Sequence, residues 1–124
     1  MLLIDANAIL RYMLNDNSEM AEIVRELIEN TKVTVRYEVA AEVVYVLSKV
    51  YLLPRAEVAE GIIAFLSIPN VETESVEIMA LALKTYAQAN MDFVDCVLYG
   101  FNSIYGHGVF TFDKRLNSMM RKLF

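Results

Sequence analysis

Short apolar runs alternate along this chain with longer segments of helical periodicity, and this alternation limits the folds available to it. The four short runs are Leu2-Leu3-Ile4, Val33-Thr34-Val35, Val71-Glu72-Thr73 and Val109-Phe110-Thr111. Runs of this length and composition are typical of β-strands, and we expect the first to be a buried strand. Strands that alternate with helices favour an α/β domain whose mainly parallel sheet is covered on both faces.

The helical segments are predicted from apolar residues at helical spacing and from capping residues at their starts. Ser18, Ser75, Asp92 and Asp113 are each placed to cap a helix, and Pro54 suits a first helical turn. The predicted helices cover residues 8–14, 18–28, 37–51, 54–67, 75–86, 93–105 and 113 to the C-terminus.

The length of 124 residues fits one domain, covering residues 1–124. Apolar residues make up 56% of the chain, above the roughly 45–50% of ordinary soluble proteins. We therefore expect a rich core and also an apolar surface for a second copy, making a homodimer. The helices at residues 37–51 and 54–67 are the candidates for that surface.

Membrane insertion and secretion are not expected. No apolar run reaches the roughly 18–20 residues that a membrane span needs, and the N-terminal segment meets the charge of Asp5 too early for a signal peptide. The single cysteine, Cys96, cannot form an intramolecular disulfide, which suits a reducing cytoplasm.

The formal net charge of −5 counts against nucleic acid as a partner, because nucleic-acid-binding proteins are usually basic. The objection weakens if several acids are clustered as metal ligands, since bound cations reverse the local charge.

Several acidic residues are placed where such a cluster could form. Asp5 directly follows the first predicted strand, Asp113 lies just beyond the fourth, and Asp92 and Asp95 share one side of a helix start. Ligands of parallel sheets gather at the carboxyl ends of the strands. Taken singly, however, each aspartate is most simply explained as a helix cap.

Glu42 is the acid that favours a shared acidic cluster over separate helix caps. It lies within the very apolar segment Val39–Val44, where we expect it to be buried, and a carboxylate is rarely buried without a partner. It either forms an ion pair with Arg11 or Lys49, turns to solvent, or reaches into the crevice at the strand ends. In the last case several carboxylates repel one another, so their pKa values rise unless a cation lies among them.

Oxygen-only ligation would select a hard cation such as Mg²⁺ or Mn²⁺, because zinc usually recruits His or Cys. The only histidine, His107, lies in a Gly-His-Gly turn and is expected to face solvent. Cys96 is expected to be a small buried hydrophobic residue rather than a nucleophile. No glycine-rich phosphate-binding motif follows any predicted strand.

Four ordered motifs of this chain resemble those of the PIN-domain family, and within it the VapC-like toxins of toxin–antitoxin pairs. They are Leu3-Ile4-Asp5-Ala6-Asn7, Ala41-Glu42-Val43-Val44-Tyr45-Val46-Leu47, Asp92-Phe93-Val94-Asp95 and Val109-Phe110-Thr111-Phe112-Asp113. The resemblance covers essentially the whole chain. It implies a three-layer α/β/α sandwich with four strands, and a fifth edge strand in many relatives.

The resemblance also implies a cytoplasmic Mg²⁺- or Mn²⁺-dependent endoribonuclease. Asp5, Glu42, Asp95 and Asp113 match the family's acidic quartet, which would hold one or two ions. Asp92 matches a less constant acid, and Asn7 and Thr111 match polar positions that support the site. A cognate antitoxin would cover the site. We further expect Arg11, Lys114 or Arg115 to contact RNA phosphates.

Two alternatives compete with the nuclease interpretation. An aspartyl-phosphate enzyme is disfavoured because a dehalogenase-type chain needs a second aspartate at position 7, where this chain has Asn7, and a receiver domain needs an acid after its middle strand. The other is a PIN-like module that binds RNA or protein without cutting it. Only the second remains open.

Overall fold

A computed structural model describes residues 1–120 of the chain, which fall into two compact units, Met1–Glu74 and the chain from Ser75 onward. The first unit contains α1 (Ala6–Leu14), α2 (Ser18–Asn30), β1 (Val33–Val35), α3 (Tyr37–Lys49), α4 (Arg55–Leu66) and β2 (Val71–Thr73). The second contains α5 (Val76–Gln88), α6 (Phe93–Tyr105) and α7 (Lys114–Met119). That residues 1–124 form one domain stays a prediction.

The sheet of the first unit is parallel, as predicted. β1 pairs with β2 in the register Val33↔Val71, and the N-terminal segment pairs with β1 through a bridge from Leu3 to Thr34. The Ile4 backbone N–H donates to the Thr34 carbonyl at 3.2 Å. Parallel strands together with helices give the predicted α/β class.

The sheet within the described residues is smaller than the four or five strands predicted. It has two strands and the bridged N-terminal segment. That segment is not the buried strand expected, because Leu2 and Leu3 are 42% and 54% exposed while only Ile4 is buried. Its outer side has no strand partner in the described part of the chain.

Val109–Thr111 does not form the predicted fourth strand. Instead, a side chain satisfies one of its carbonyl groups, and the Thr111 hydroxyl binds the backbone that follows. The Asn117 Nδ2 donates to the Thr111 carbonyl at 2.8 Å, and the Asp113 N–H donates to the Thr111 hydroxyl at 3.0 Å. Such local hydrogen bonds compete with a strand ladder. The final helix ends at Met119, and its predicted extension over residues 121–124 lies outside the described residues.

Capping explains where most helices begin. The predicted caps Ser75 and Asp113 accept hydrogen bonds from the Ile78 and Leu116 N–H groups. For α2 the cap is Asn17, whose side chain accepts from the Met20 N–H at 3.0 Å, and not Ser18 as predicted. The amide oxygen of Asn17 satisfies one of the unpaired N–H groups of the first turn.

Helices α5 and α6 pack closely in the second unit because Gly100 lets their backbones approach. A Cβ at position 100 would lie 3.2 Å from Cγ2 of buried Ile78. We expect Gly100→Leu to lower the free energy of unfolding by about 1–3 kcal/mol, because the packed interface cannot accept the larger side chain. Urea denaturation measures this, with Gly100→Ala as the milder control. Equal stability of Gly100→Leu and the parent protein would contradict the close packing.

None of the helices in residues 1–120 combines the length and the apolar character needed to cross a membrane.

Candidate active site

Asp5 stands at the carboxyl end of the N-terminal parallel segment and caps α1. Its Oδ1 accepts a hydrogen bond from the Ala8 N–H at 2.8 Å. The side chain is exposed, and its second oxygen has no hydrogen-bond partner among residues 1–120. The helix-cap interpretation is therefore correct for Asp5, and one carboxylate oxygen remains available to a ligand.

A groove of about 270 Å³ in the first unit brings three of the predicted site residues together. Asn7, Arg11 and Glu42 line it with the apolar side chains of α1 and α3. Residues of the first and second motifs, Ala6 and Asn7 from one and Glu42 and Val46 from the other, line this groove. It places Asn7 and Glu42 on one concave surface, although they are far apart in sequence.

Glu42 is exposed, so the expectation that it is buried is wrong. Helix α3 buries Ala40, Val43, Val44 and Leu47, and at 100° per residue Glu42 falls on the opposite stripe with Glu38 and Lys49. It forms no ion pair with Arg11 or Lys49 in the described part of the chain. Of the three alternatives, the structure excludes the ion pair and leaves Glu42 at the solvent-facing side of the groove.

The guanidinium of Arg11 forms an ion pair with Asp16. Its Nη1 lies 2.8 Å from Oδ2 of Asp16, while its Nε is buried and has no hydrogen-bond partner among the described residues. A buried donor without a partner is costly. The Nε–H of Arg11 is therefore an unsatisfied donor that is shielded from solvent.

The second unit assembles Asp92, Asp95 and Asp113. Asp92 occupies the N-cap position of α6 but makes no capping hydrogen bond, and Asp95 lies in the first turn of the same helix. The pKa of Asp95 is raised by burial of its carboxyl group, then by the negative charge of Asp113 and that of Asp92. Mutual repulsion among clustered acids, with a raised pKa, is what the sequence predicts in the absence of a cation.

Asp113 is held in place at the start of α7. Its Oδ1 accepts from the Leu116 N–H at 2.7 Å, and its own N–H donates to the Thr111 hydroxyl. Thr111 thus contacts Asp113 directly, and its role in the site stays a prediction. Lys114 and Arg115 follow on the exposed side of α7, and neither side chain forms an ion pair within residues 1–120.

The donor chemistry fits a hard divalent cation, because the candidates are carboxylates whose mutual repulsion such an ion would relieve. Among residues 1–120, however, no three His, Cys, Asp or Glu side chains form a group arranged to hold a metal ion. Asp5 and Glu42 belong to the first unit and the other three acids to the second. Convergence of the quartet on a metal stays a prediction.

The predicted exposure of His107 and the predicted burial of Cys96 are confirmed. His107 is exposed and its ring lies against Phe101 and Tyr105. Cys96 is fully buried, with its sulfur 3.9 Å from the Met91 carbonyl oxygen.

Two charged residues at the carboxyl edge of the sheet were not predicted from the sequence. Arg36 follows β1 and Glu74 follows β2, and the Arg36 guanidinium lies 3.3 Å from Glu74 and 2.8 Å from Glu38. Hydrogen bonding and charge from Arg36 lower the pKa of Glu38. Both residues directly follow a strand, as Asp5 follows the first predicted strand, so a search of the ends of the predicted strands would have found them.

A family model described as PIN domain matches residues 2–122. The match includes every residue proposed for the site, from Asp5 to Arg115. No curated protein and no solved structure matches the chain.

Proposed function

We propose that this chain, which belongs to the PIN-domain family, is a metal-dependent endoribonuclease that cleaves RNA phosphodiester bonds with an activated water. The family match over residues 2–122 identifies a nuclease-type fold. The finer statements, that the substrate is RNA cut internally and that the cofactor is Mg²⁺ or Mn²⁺, are the proposal.

The observation that carries the proposal is the electrostatic cluster of Asp92, Asp95 and Asp113. Burial, followed by the charges of Asp113 and Asp92, raises the pKa of Asp95. An acid with a raised pKa beside two further acids is a candidate for a function that uses their charge. A divalent cation is the simplest group that would turn this repulsion into attraction.

Each acid has a proposed role. Asp5 and Asp113 would bind the cation directly, each through the oxygen that does not cap a helix. Asp95 would bind it directly or through water, with Asp92 beside it, and Glu42 would serve as a ligand or orient the attacking water. Divalent ions held there would supply an activated water and positive charge beside the scissile phosphate.

The remaining polar residues would position the RNA. Thr111 holds the backbone of Asp113, and Asn7 lines the groove beside Glu42. Arg11, which lines the same groove, and the unpaired charges of Lys114 and Arg115 would contact phosphate oxygens.

A cleavage assay tests the proposal. Purified protein should cut a labelled RNA in Mn²⁺ or Mg²⁺ and should be inactive in EDTA. Calorimetric titration with Mn²⁺ should show uptake of one or two ions. RNA binding without cleavage under all conditions would favour the alternative, a non-catalytic PIN-like binding module, and no uptake of Mn²⁺ would exclude the metal mechanism.

We also propose that the chain is a VapC-like toxin acting in the cytoplasm and neutralised by an antitoxin that covers the acids with a basic residue. The four ordered motifs support this. Induced expression should arrest growth of a bacterial host, whereas Asp5→Asn should not. An open reading frame beside this gene, whose product restores growth and co-purifies with the chain, would identify the antitoxin.

A homodimer is expected through α3 and the segment that follows it. Tyr45, Val50, Tyr51 and Leu52 are exposed there, and Leu52 has a left-handed φ of 56°, a costly conformation typical of functional segments. Light scattering should give twice the chain mass, and Tyr45→Asp should give a monomer. Ile23→Asp on α2 is the matched control, because the two side chains are 63% and 62% exposed. A monomeric parent protein at tens of micromolar would exclude the dimer.

A further inference from the structure

We propose that Phe110 and Phe112 form a stacking platform for the bases of single-stranded RNA next to Asp113. This rests on the proposed ribonuclease function and names two side chains that would hold a base beside the site. The sequence pattern assigns these phenylalanines to a strand and its end, and gives them no role of their own.

The two rings are unusually exposed. Phe110 is 79% and Phe112 89% exposed, and their ring centroids lie 5.3 Å apart at an interplanar angle of 79°. In this edge-to-face pair each ring covers only part of the other, so ring faces remain open to water. Open aromatic faces are the surface on which nucleic-acid bases stack.

Charge next to the rings favours RNA over an apolar protein segment as the occupant. Lys114 and Arg115 come directly after Asp113, both are exposed, and neither is paired with an acid in the part of the chain that the structure describes. Aromatic rings followed along the chain by unpaired cations match the bases and phosphates of a single strand. Elsewhere the chain is acidic, with a formal net charge of −5.

The platform is held in place by hydrogen bonds on both sides of Phe112. The Thr111 carbonyl accepts from the Asn117 side chain at 2.8 Å, and the Asp113 N–H donates to the Thr111 hydroxyl at 3.0 Å. A segment held in its binding conformation loses little entropy when a ligand binds. The same bonds connect the rings to Asp113, the carboxylate proposed to bind the cation.

Single-stranded RNA is the form this surface fits. In a duplex the bases are already stacked on their neighbours and unavailable to side chains, whereas unpaired bases can be splayed onto aromatic rings. A base that flanks the cleaved bond would therefore lie on Phe112 or Phe110.

Fluorescence can test the contact, because the chain contains no tryptophan. Phe112→Trp introduces a single reporter, placed in an Asp5→Asn background so that the RNA is not cut. A short oligoadenylate should quench its emission, and the same strand annealed to oligouridylate should not. Equal quenching by strand and duplex, or none by either, would overturn the proposal.

Affinity gives a second measurement. By anisotropy with labelled oligoadenylate, the double variant Phe110→Ala with Phe112→Ala should bind about tenfold or more weakly in the same Asp5→Asn background. Val76→Ala, which truncates a side chain 70% exposed on α5, should bind unchanged. Unchanged affinity of the double alanine variant would refute the platform, and a switch from dimer to monomer with unchanged affinity would identify a self-association surface instead.

The outcomes separate this inference from the proposed function. If metal-dependent cleavage is retained but the phenylalanine substitutions do not change RNA affinity, only the platform is contradicted. If the unsubstituted protein does not cleave RNA, the proposed nuclease function is contradicted.

Discussion

Asp5→Asn is expected to lower RNA cleavage by more than about a hundredfold while the protein stays folded. The neutral amide would be a poor ligand for a divalent cation, and changes even to residues that merely support metal ligands cost about 10–100-fold. The fold should be preserved because asparagine caps helices about as well as aspartate, so its side-chain oxygen can still accept from the Ala8 N–H.

Glu29→Gln is the matched control for this change, because it removes one exposed negative charge from the same unit without touching the site. Cleavage should be unchanged in that variant, and the melting temperatures of both variants should stay close to that of the parent. Full activity of Asp5→Asn in Mg²⁺ would refute the assignment of Asp5 as a ligand. Asp5→Ala should in addition lose about 1 kcal/mol of stability with the cap.

Asp95→Asn is expected to abolish cleavage and at the same time to stabilise the metal-free protein by a few degrees at neutral pH. Burial, Asp113 and Asp92 all raise the pKa of Asp95 above its ordinary value of 3.8. At pH values between the ordinary pKa and the raised pKa of Asp95, the native state binds more protons than the unfolded state. The free energy of unfolding therefore falls as pH rises through this range. Above the raised pKa, Asp95 is fully ionised and its charge destabilises the native state. The uncharged amide of Asp95→Asn has no such effect.

Thermal melts in EDTA across the acidic to neutral range would measure this. The gap between Asp95→Asn and the parent should widen as pH rises through the raised pKa of Asp95 and then level off, whereas Glu60→Gln should show no such gap. Added Mg²⁺ should stabilise the parent more than the variant, because only a bound ion contributes linkage free energy. A parent protein that is more stable than Asp95→Asn in EDTA at neutral pH would contradict the repulsive cluster.

Much of the fold was predictable because its signals are local. The caps Ser75 and Asp113 act on N–H groups within the same turn, and the β-branched runs at Val33–Val35 and Val71–Thr73 form the paired strands. The prediction for Val109–Thr111 was wrong because strand propensity takes no account of the Asn117 side chain, which occupies the Thr111 carbonyl.

The candidate site was predictable in its residue types but not in all its environments. Strand ends and helix starts select Asp5, Asp95 and Asp113 from the sequence alone. The burial predicted for Glu42 was wrong, because an apolar sequence neighbourhood does not reveal which helical face a residue occupies. The exposure of Phe110 and Phe112 was equally hidden, since aromatic residues in a short run are ordinarily part of a core.

The sequence by itself determined the family, the α/β class and the acidic residues available to a metal, because motif order, periodicity and capping depend on residues close together in the chain. Only the tertiary structure decided that burial and two neighbouring carboxylates raise the pKa of Asp95, which N–H of Arg11 is buried without a partner and which aromatic rings face water. Those properties depend on distances between residues remote in sequence and on the solvent that packing excludes, and neither is encoded in local spacing.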